Sequence, residues 1–119
     1  MGRPYWEKAG VADRIDLRIG PAIDTLRSLP PDETFDPAFV DADKTGYAAY
    51  YDEILPRLRP GGLLLVDNTL WSGAVLDETD DREDTRAIRA LNDKIAADPR
   101  VRVVLLPIGD GVTVVQRLP

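Results

Sequence analysis

The stretch FVDADKTGYAAYYDEILPRLRPGGLLLVDNTLW, Phe39 to Trp71, decides the fold. Two apolar runs, AFV beginning at Ala38 and LLLV beginning at Leu63, each stop at an aspartate, Asp41 and Asp67. Between them, Tyr47, Tyr50, Tyr51, Ile54, Leu55 and Leu58 fall at offsets 0, 3, 4, 7, 8 and 11, the stripe of a helix facing a core. Strand, helix, strand is the unit of a parallel sheet, with a right-handed crossover. If the strands Phe35–Val40 and Leu63–Val66 are neighbours, their carboxyl ends share one sheet edge, with strands about 4.8 Å apart. Ligands of open α/β sheets bind at that edge.

Flanking segments extend the alternation. Residues 4–10 read as the last turns of a helix stopped by Gly10. Arg14–Ile19 alternates and reads as a strand. Gly20-Pro21 opens a helix that ends in Pro30-Pro31-Asp32. Pro37 belongs to a strand start or edge. Arg59-Pro60-Gly61-Gly62 reads as the stop of the central helix, and LLLV as a strand covered on both faces. Trp71–Asp81 reads as a loop. Residues 82–97 form a helix with Ile88, Leu91 and Ile95 inward. Val101–Leu106 and Val112–Arg117 form a hairpin about Gly109-Asp110-Gly111. The expectation is one α/β domain over residues 1–119.

Composition narrows the chemistry. The chain has 119 residues, a net charge of −6, and neither cysteine nor histidine. A disulfide framework is excluded, as is any thiolate or imidazole metal site. A metal must be held by oxygen, which favours Mg²⁺, Mn²⁺ or Ca²⁺. The acidic balance argues against nucleic acid. No apolar run reaches membrane-span length, and the N-terminal residues show no signal-peptide core, so a cytoplasmic location is expected.

Two carboxylates at one edge repel unless a proton or a cation lies between them. Asn68 adds an amide oxygen beside Asp67. Asp41, Asp67 and Asn68 are therefore candidate cation ligands. Helix or turn capping by each aspartate is the competing reading. Lys44 would project over the same edge, as a base or an oxyanion partner, or as a solvated loop lysine. The tyrosines are core candidates, with Tyr50 nearest the edge. Trp71 and Gly73 could wall a pocket or anchor the loop.

At these residues the sequence resembles the cation-dependent O-methyltransferases of the caffeoyl-CoA and catechol type, within the class I S-adenosylmethionine-dependent enzymes. The matching motifs are AGVADRIDLRIGPA, FDPAFVDADKTGYAAYY, LRPGGLLLVDNTLWSGAV and LLPIGDGVTVVQR, in family order. The resemblance implies a Rossmann-like three-layer sandwich that ends in an antiparallel hairpin. It implies Asp41, Asp67 and Asn68 as metal ligands, with Asp41 and Lys44 at the catalytic centre and Lys44 near the acceptor hydroxyl. It implies S-adenosylmethionine as cofactor, with Ala22 against the adenine through its backbone and Asp43 and Tyr50 at the methionine end. Ser72 stands where plant members often carry a substrate-touching asparagine. The implied partner is a small phenolic, catechol-like substrate: the cation lowers its hydroxyl pKa and aligns it with the sulfonium methyl group.

The resemblance covers the C-terminal half of the family. The glycine-rich cofactor strand and the next strand are missing; Gly61-Gly62 precedes a strand and is the wrong context for that loop. In the family sheet order 3-2-1-4-5-7-6, Arg14–Ile19 matches the third strand and Phe35–Val40 the fourth, so strands 1 and 2 are absent between them. This implies a rearranged or an intermolecular sheet, in a homodimer. The competing function is a non-catalytic methyltransferase remnant that dimerises or binds a partner. A metal-dependent hydrolase ranks last, since no phosphate-binding loop is present.

Overall fold

The computed structural model describes residues 2–32 and 34–119. Along the chain run α1 (Arg3–Lys8), α2 (Ala22–Ser28), β1 (Phe35–Val40), α3 (Tyr47–Ile54), β2 (Leu58–Asp67), α4 (Glu83–Ala97), β3 (Val101–Leu106) and β4 (Val112–Arg117). The four strands form one sheet in the order β1-β2-β4-β3. β1 and β2 are parallel, while β4 runs antiparallel to both β2 and β3. This matches the expected mixed α/β fold, and the order equals the last four places of the expected sheet.

The helical stripe read from the sequence is the core. Tyr47, Tyr50, Tyr51, Ile54, Leu55 and Leu58 are all buried, and they pack with Val40, Leu64, Val66 and Val115 of the sheet and with Leu91 and Ile95 of α4. Burial of these six large side chains, four of them in α3, fixes α3 and its junction with β2 far more firmly than helix propensity could. Arg117 of β4 donates to the carbonyls of Pro56 and Leu58, tying the α3–β2 junction to the sheet.

Four local expectations are corrected. Arg14–Ile19 is not a strand: a single turn of 3₁₀ helix covers Ala12–Arg14, and the extended run after it pairs with no strand. An alternating sequence cannot hold a ladder without a partner strand, and Ile19 is 91% exposed. Arg59-Pro60-Gly61-Gly62 does not stop the helix. The helix ends through a 3₁₀ turn at Leu55–Arg57, and these four residues lie inside β2. They form an irregularity in the pairing with β1, where register jumps from Phe35↔Leu58 to Pro37↔Leu63. Gly61 has φ +79°, and a Cβ on Gly62 would meet the carbonyl oxygens of Arg59 and Asp36 at 2.8 and 2.9 Å, so the bulge requires glycine.

LLLV is covered on one face only. Leu64 and Val66 are buried under the helices, whereas Leu63 is exposed and Leu65 half-buried. The loop after β2 contains short turns of 3₁₀ type within Trp71–Leu76, broken by a kink at Ser72 and Gly73. The sheet itself is not rearranged: β1 keeps its place beside β2 and forms an edge. Among the described residues no helix is long and apolar enough to cross a membrane.

Candidate active site

The two aspartates occupy equivalent positions at the carboxyl ends of adjacent parallel strands. Val40 pairs with Val66, and the next residues are Asp41 and Asp67. Asp41 lies just past β1, while Asp67 is the last residue of β2 and pairs with Val112. Chain polarity and register alone bring them to one edge.

Lys44 bridges the two strand ends. It sits in the 3₁₀ turn that leads into α3, and its side chain is largely covered. Its Nζ donates to Asp41 Oδ1 at 3.1 Å, to Asn68 Oδ1 at 2.7 Å and to the Tyr47 hydroxyl at 2.5 Å. It also lies 5.8 Å from the centre of the Trp71 ring, within cation–π range. Burial pulls the Lys44 pKa down, but the bonds to Tyr47 and Asp41 outweigh it and hold it above its ordinary value. Lys44 is therefore an ammonium at neutral pH. Burial pushes the Tyr47 hydroxyl up, against the opposing pull of Lys44. Tyr47 donates in turn to the Asp67 carbonyl at 3.2 Å.

The loop after β2 is built to present Asn68. Asn68 has φ +61°, and its backbone N–H donates to the side-chain Oδ1 of the preceding residue, Asp67, at 2.7 Å. Trp71 and Ser72 follow with φ +49° and +52°. Three non-glycine residues in the left-handed region within five positions are costly and need outside support.

The hairpin turn between β3 and β4 supplies that support. Thr69 and Leu70 donate their N–H groups to the carbonyls of Gly111 and Asp110, at 3.1 and 3.0 Å. Asp110 accepts the Ser72 N–H at 2.5 Å and the Asn68 side-chain amide at 3.5 Å. This second bond turns the Asn68 carbonyl oxygen toward Lys44. Asn92 of α4 donates to the Thr69 carbonyl at 2.9 Å. Asp110 and Asn92 were not singled out in the sequence. Asp110 lay in a segment already explained as a hairpin turn, and no spacing rule links a turn residue to an asparagine 42 positions away.

The donor set suits a hard cation. Asp41, Asp67 and Asn68 offer oxygen donors from two strand ends, and a cationic ammonium already rests against two of the three. Among the described residues no group of three or more His, Cys, Asp or Glu side chains stands close enough to hold a metal ion. Any ion here relies on the Asn68 amide and on solvent or substrate oxygens as well.

Ala22 and Tyr50 line one cleft with Asp41, and Asp43 adjoins it through its bond to Tyr50. Ala22, Asp41, Ala42 and Tyr50 line the upper end of a cleft of about 440 Å³ between α2 and β1. The Tyr50 hydroxyl donates to Asp43 Oδ1 at 2.5 Å. That bond first, then burial, pushes the Tyr50 pKa up to about 12. The volume is at the small end of ligand sites, and the cleft opens along the free edge of β1. Ser72 is exposed on the loop beyond Trp71.

A sequence profile of the O-methyltransferase family matches residues 1–118. The chain belongs to that family. It is 44% identical to tricin synthase 1 of rice (Oryza sativa subsp. japonica), covering 99% of this chain and 52% of the relative. It is 46% identical to caffeoyl-CoA O-methyltransferase 2 of maize (Zea mays), covering 99% and 48%. The fold superposes on the O-methyltransferase from Bacillus cereus, solved in complex with SAH, with a TM-score of 0.86 at 34% identity, covering 97% of this chain and 56% of that one. The chain spans about half the length of the relatives it matches. It carries roughly half of a class I methyltransferase fold, with an antiparallel strand pair in its sheet.

Proposed function

We propose that this chain supplies the acceptor half of the active site of an S-adenosylmethionine-dependent O-methyltransferase that uses a divalent cation and acts on a phenolic, catechol-like hydroxyl. The observation that carries this reading is the convergence of Asp41, Lys44 and Asn68 at adjacent strand ends, beside a cleft that holds Ala22 and Tyr50. The names of the similar rice and maize proteins, a tricin synthase and a caffeoyl-CoA O-methyltransferase, point the same way.

Asp41, Asp67 and Asn68 would hold the cation. When bound, it supplies Lewis-acid charge that makes a phenolic hydroxyl acidic near neutral pH. S-adenosylmethionine supplies an electrophilic methyl group; Ala22 would lie against its adenine, and Asp43 with Tyr50 at its methionine end. Lys44, held as an ammonium by Tyr47 and Asp41, places a fixed positive charge where a phenolate oxygen would develop. As an ammonium it assists deprotonation by stabilising the phenolate, and the hydroxyl proton leaves to solvent. Trp71 places an aromatic ring next to Lys44, 5.8 Å from its ammonium. Direct displacement at the methyl carbon needs an in-line approach, so the work of the side chains is positioning.

Mn²⁺ titration followed by electron paramagnetic resonance tests the cation site without requiring turnover. Wild-type chain should bind Mn²⁺, and Asp67→Ala should weaken binding at least tenfold. Equal binding by both removes the metal assignment. Calorimetry with S-adenosylmethionine, with and without Mg²⁺, tests the cofactor end. A second reading is favoured by the bare β1 edge: a non-catalytic remnant that works as a binding or dimerisation module. Retained Mn²⁺ binding that depends on Asp67 argues against it.

A further inference from the structure

The strained kink in the loop after β2 is clamped on both sides. Trp71 and Ser72 hold φ +49° and +52°, and Gly73 follows at +82°. Non-glycine residues persist in that region only where their surroundings over-determine them. On the first side, Asn92 of α4 donates to the Thr69 carbonyl and Asp110 accepts the Ser72 N–H. On the second side, one side chain does the holding. Arg89 precedes Asn92 by three residues, so the two share a face of α4. Its Nε donates to the Val75 carbonyl at 3.0 Å, its Nη1 to the Asp80 carbonyl at 2.9 Å, and its Nη2 to the Ala74 carbonyl at 2.9 Å. Nη2 also donates to the Asp77 carbonyl.

All four acceptors are main-chain carbonyls, although carboxylates abound in this segment. Those carboxylates have local partners. Asp77 Oδ1 accepts the Thr79 N–H at 3.0 Å and its hydroxyl at 2.7 Å. Asp80 pairs with Arg82 at 2.5 Å and Asp81 with Arg86 at 2.9 Å. The guanidinium is thereby left to gather the backbone of the loop around its planar fork. A lysine could not replace it, since its donors all sit on one atom and cannot reach carbonyls spread from Ala74 to Asp80. Ile88, Leu91 and Ile95 bury α4 in the core, so Arg89 ties the loop to the rigid part of the fold. Trp71, at the start of the kink, has its ring centre 5.8 Å from Lys44 Nζ.

We propose that Arg89 is a positioning residue for the acceptor: by holding the carbonyls of Ala74, Val75, Asp77 and Asp80 it locks the kink and sets the Trp71 ring beside Lys44, where a phenolic acceptor packs. The inference rests on the function proposed above. Arg89 acts through the loop backbone, three residues and more beyond Trp71, and shares no bond with Asp41, Asp67 or Asn68. A small displacement of a positioning group weakens what it positions, so loss of Arg89 lowers affinity for the acceptor and spares the cation.

The test uses a Trp6→Phe background, in which Trp71 is the sole tryptophan. Acrylamide quenching of Trp71 should rise about threefold in both Arg89→Ala and Arg89→Lys. Exchange should rise about tenfold at the Asp77 and Asp80 amides, which donate to the Ala74 and Asp77 carbonyls. Mn²⁺ affinity, read by electron paramagnetic resonance, should stay at the wild-type value. Catechol added to the Mn²⁺-loaded chain and followed by Trp71 quenching should bind about fivefold more weakly to both variants. Circular dichroism melts confirm folding, and Arg89→Lys, which keeps the charge and the aliphatic stem, serves if Arg89→Ala does not fold. Wild-type quenching and exchange in folded Arg89→Lys overturn the proposal, as does a parallel loss of Mn²⁺ affinity, which would make Arg89 a support of the whole site. Catechol binding that is indifferent to Arg89 overturns this proposal alone. Absence of catechol binding to the wild-type Mn²⁺-loaded chain overturns the acceptor reading and this proposal with it.

Discussion

Lys44 and Asn68 are joined by a 2.7 Å hydrogen bond that spans the ends of two parallel strands. The ammonium and a divalent cation seek the same oxygens. A unit charge and a divalent one about 4 Å apart repel by about 8 kcal/mol at the effective dielectric of a protein surface. Carboxylate ligation of the ion and solvent screening offset most of that. Lys44→Met should therefore tighten Mn²⁺ binding, by about fivefold at low salt, and the gain should shrink as salt rises. Weaker binding in the variant would show that Lys44 supports the cation rather than competing with it.

Tyr50 and Asp43 give a titration that isolates one bond. The Asp43 carboxylate accepts from the Tyr50 hydroxyl and stabilises its protonated form, which pushes the pKa up to about 12. Absorbance at the tyrosinate wavelength should show one tyrosine titrating near that value. In Asp43→Asn it should move back toward about 10. A raised folded pKa means that the native state holds its proton more tightly. This contribution to stability is complete below about pH 10 and is lost as pH rises toward the folded value. A midpoint unchanged by Asp43→Asn would assign the shift to burial instead.

Much of this site was legible in the sequence, for a physical reason. The tyrosine stripe in α3, the LLLV run and the paired stops at Asp41 and Asp67 are local signals that the fold leaves intact. What failed depends on partners. Ile15, Leu17 and Ile19 alternate as a strand should, yet no neighbouring strand completes their ladder. Leu63 and Leu65 read as doubly covered, yet nothing in the described chain lies over their face. Pro60-Gly61-Gly62 reads as punctuation, yet here it forms a bulge inside β2 that only the register with β1 reveals. The role of Asp110 is likewise tertiary, since it acts through Asn68 and Ser72 from another hairpin.

The hairpin prop is tested at Gly111. This residue has φ +82°, and a Cβ there would press on the Leu70 backbone nitrogen at 3.0 Å and on its side chain. Gly111→Ala combines left-handed strain with overpacking, and should cost about 2–3 kcal/mol in urea unfolding. Asp110→Ala should cost less globally. It should raise hydrogen exchange at Ser72 and weaken Mn²⁺ binding about tenfold, because the Asn68 amide loses its orienting acceptor. Asp110→Asn retains one acceptor oxygen and should recover part of both. Exchange at Ser72 unchanged in Asp110→Ala would refute the prop.

The far end of the sheet carries its own pH dependence. Asp98 ends α4 with a largely buried side chain that accepts from Arg100 Nη2 at 2.7 Å, the Arg100 N–H at 2.9 Å and the Tyr51 hydroxyl at 2.9 Å. The Arg100 guanidinium first, with help from the Arg100 N–H and Tyr51, outweighs burial and holds the carboxyl well below the usual range. Tyr51 is correspondingly pushed up, by burial and then by Asp98. An unfolded aspartate titrates near about 3.9. The depressed folded pKa means that the stabilisation is full above that value and is lost as pH falls toward the folded pKa. Asp98→Asn should be less stable than wild type by about 1–3 kcal/mol at pH 7. The gap should narrow steadily as pH falls below about 4, because the wild-type carboxylate then loses its advantage. A gap that stays constant from pH 7 to pH 3 would show that Asp98 acts by shape and not by charge.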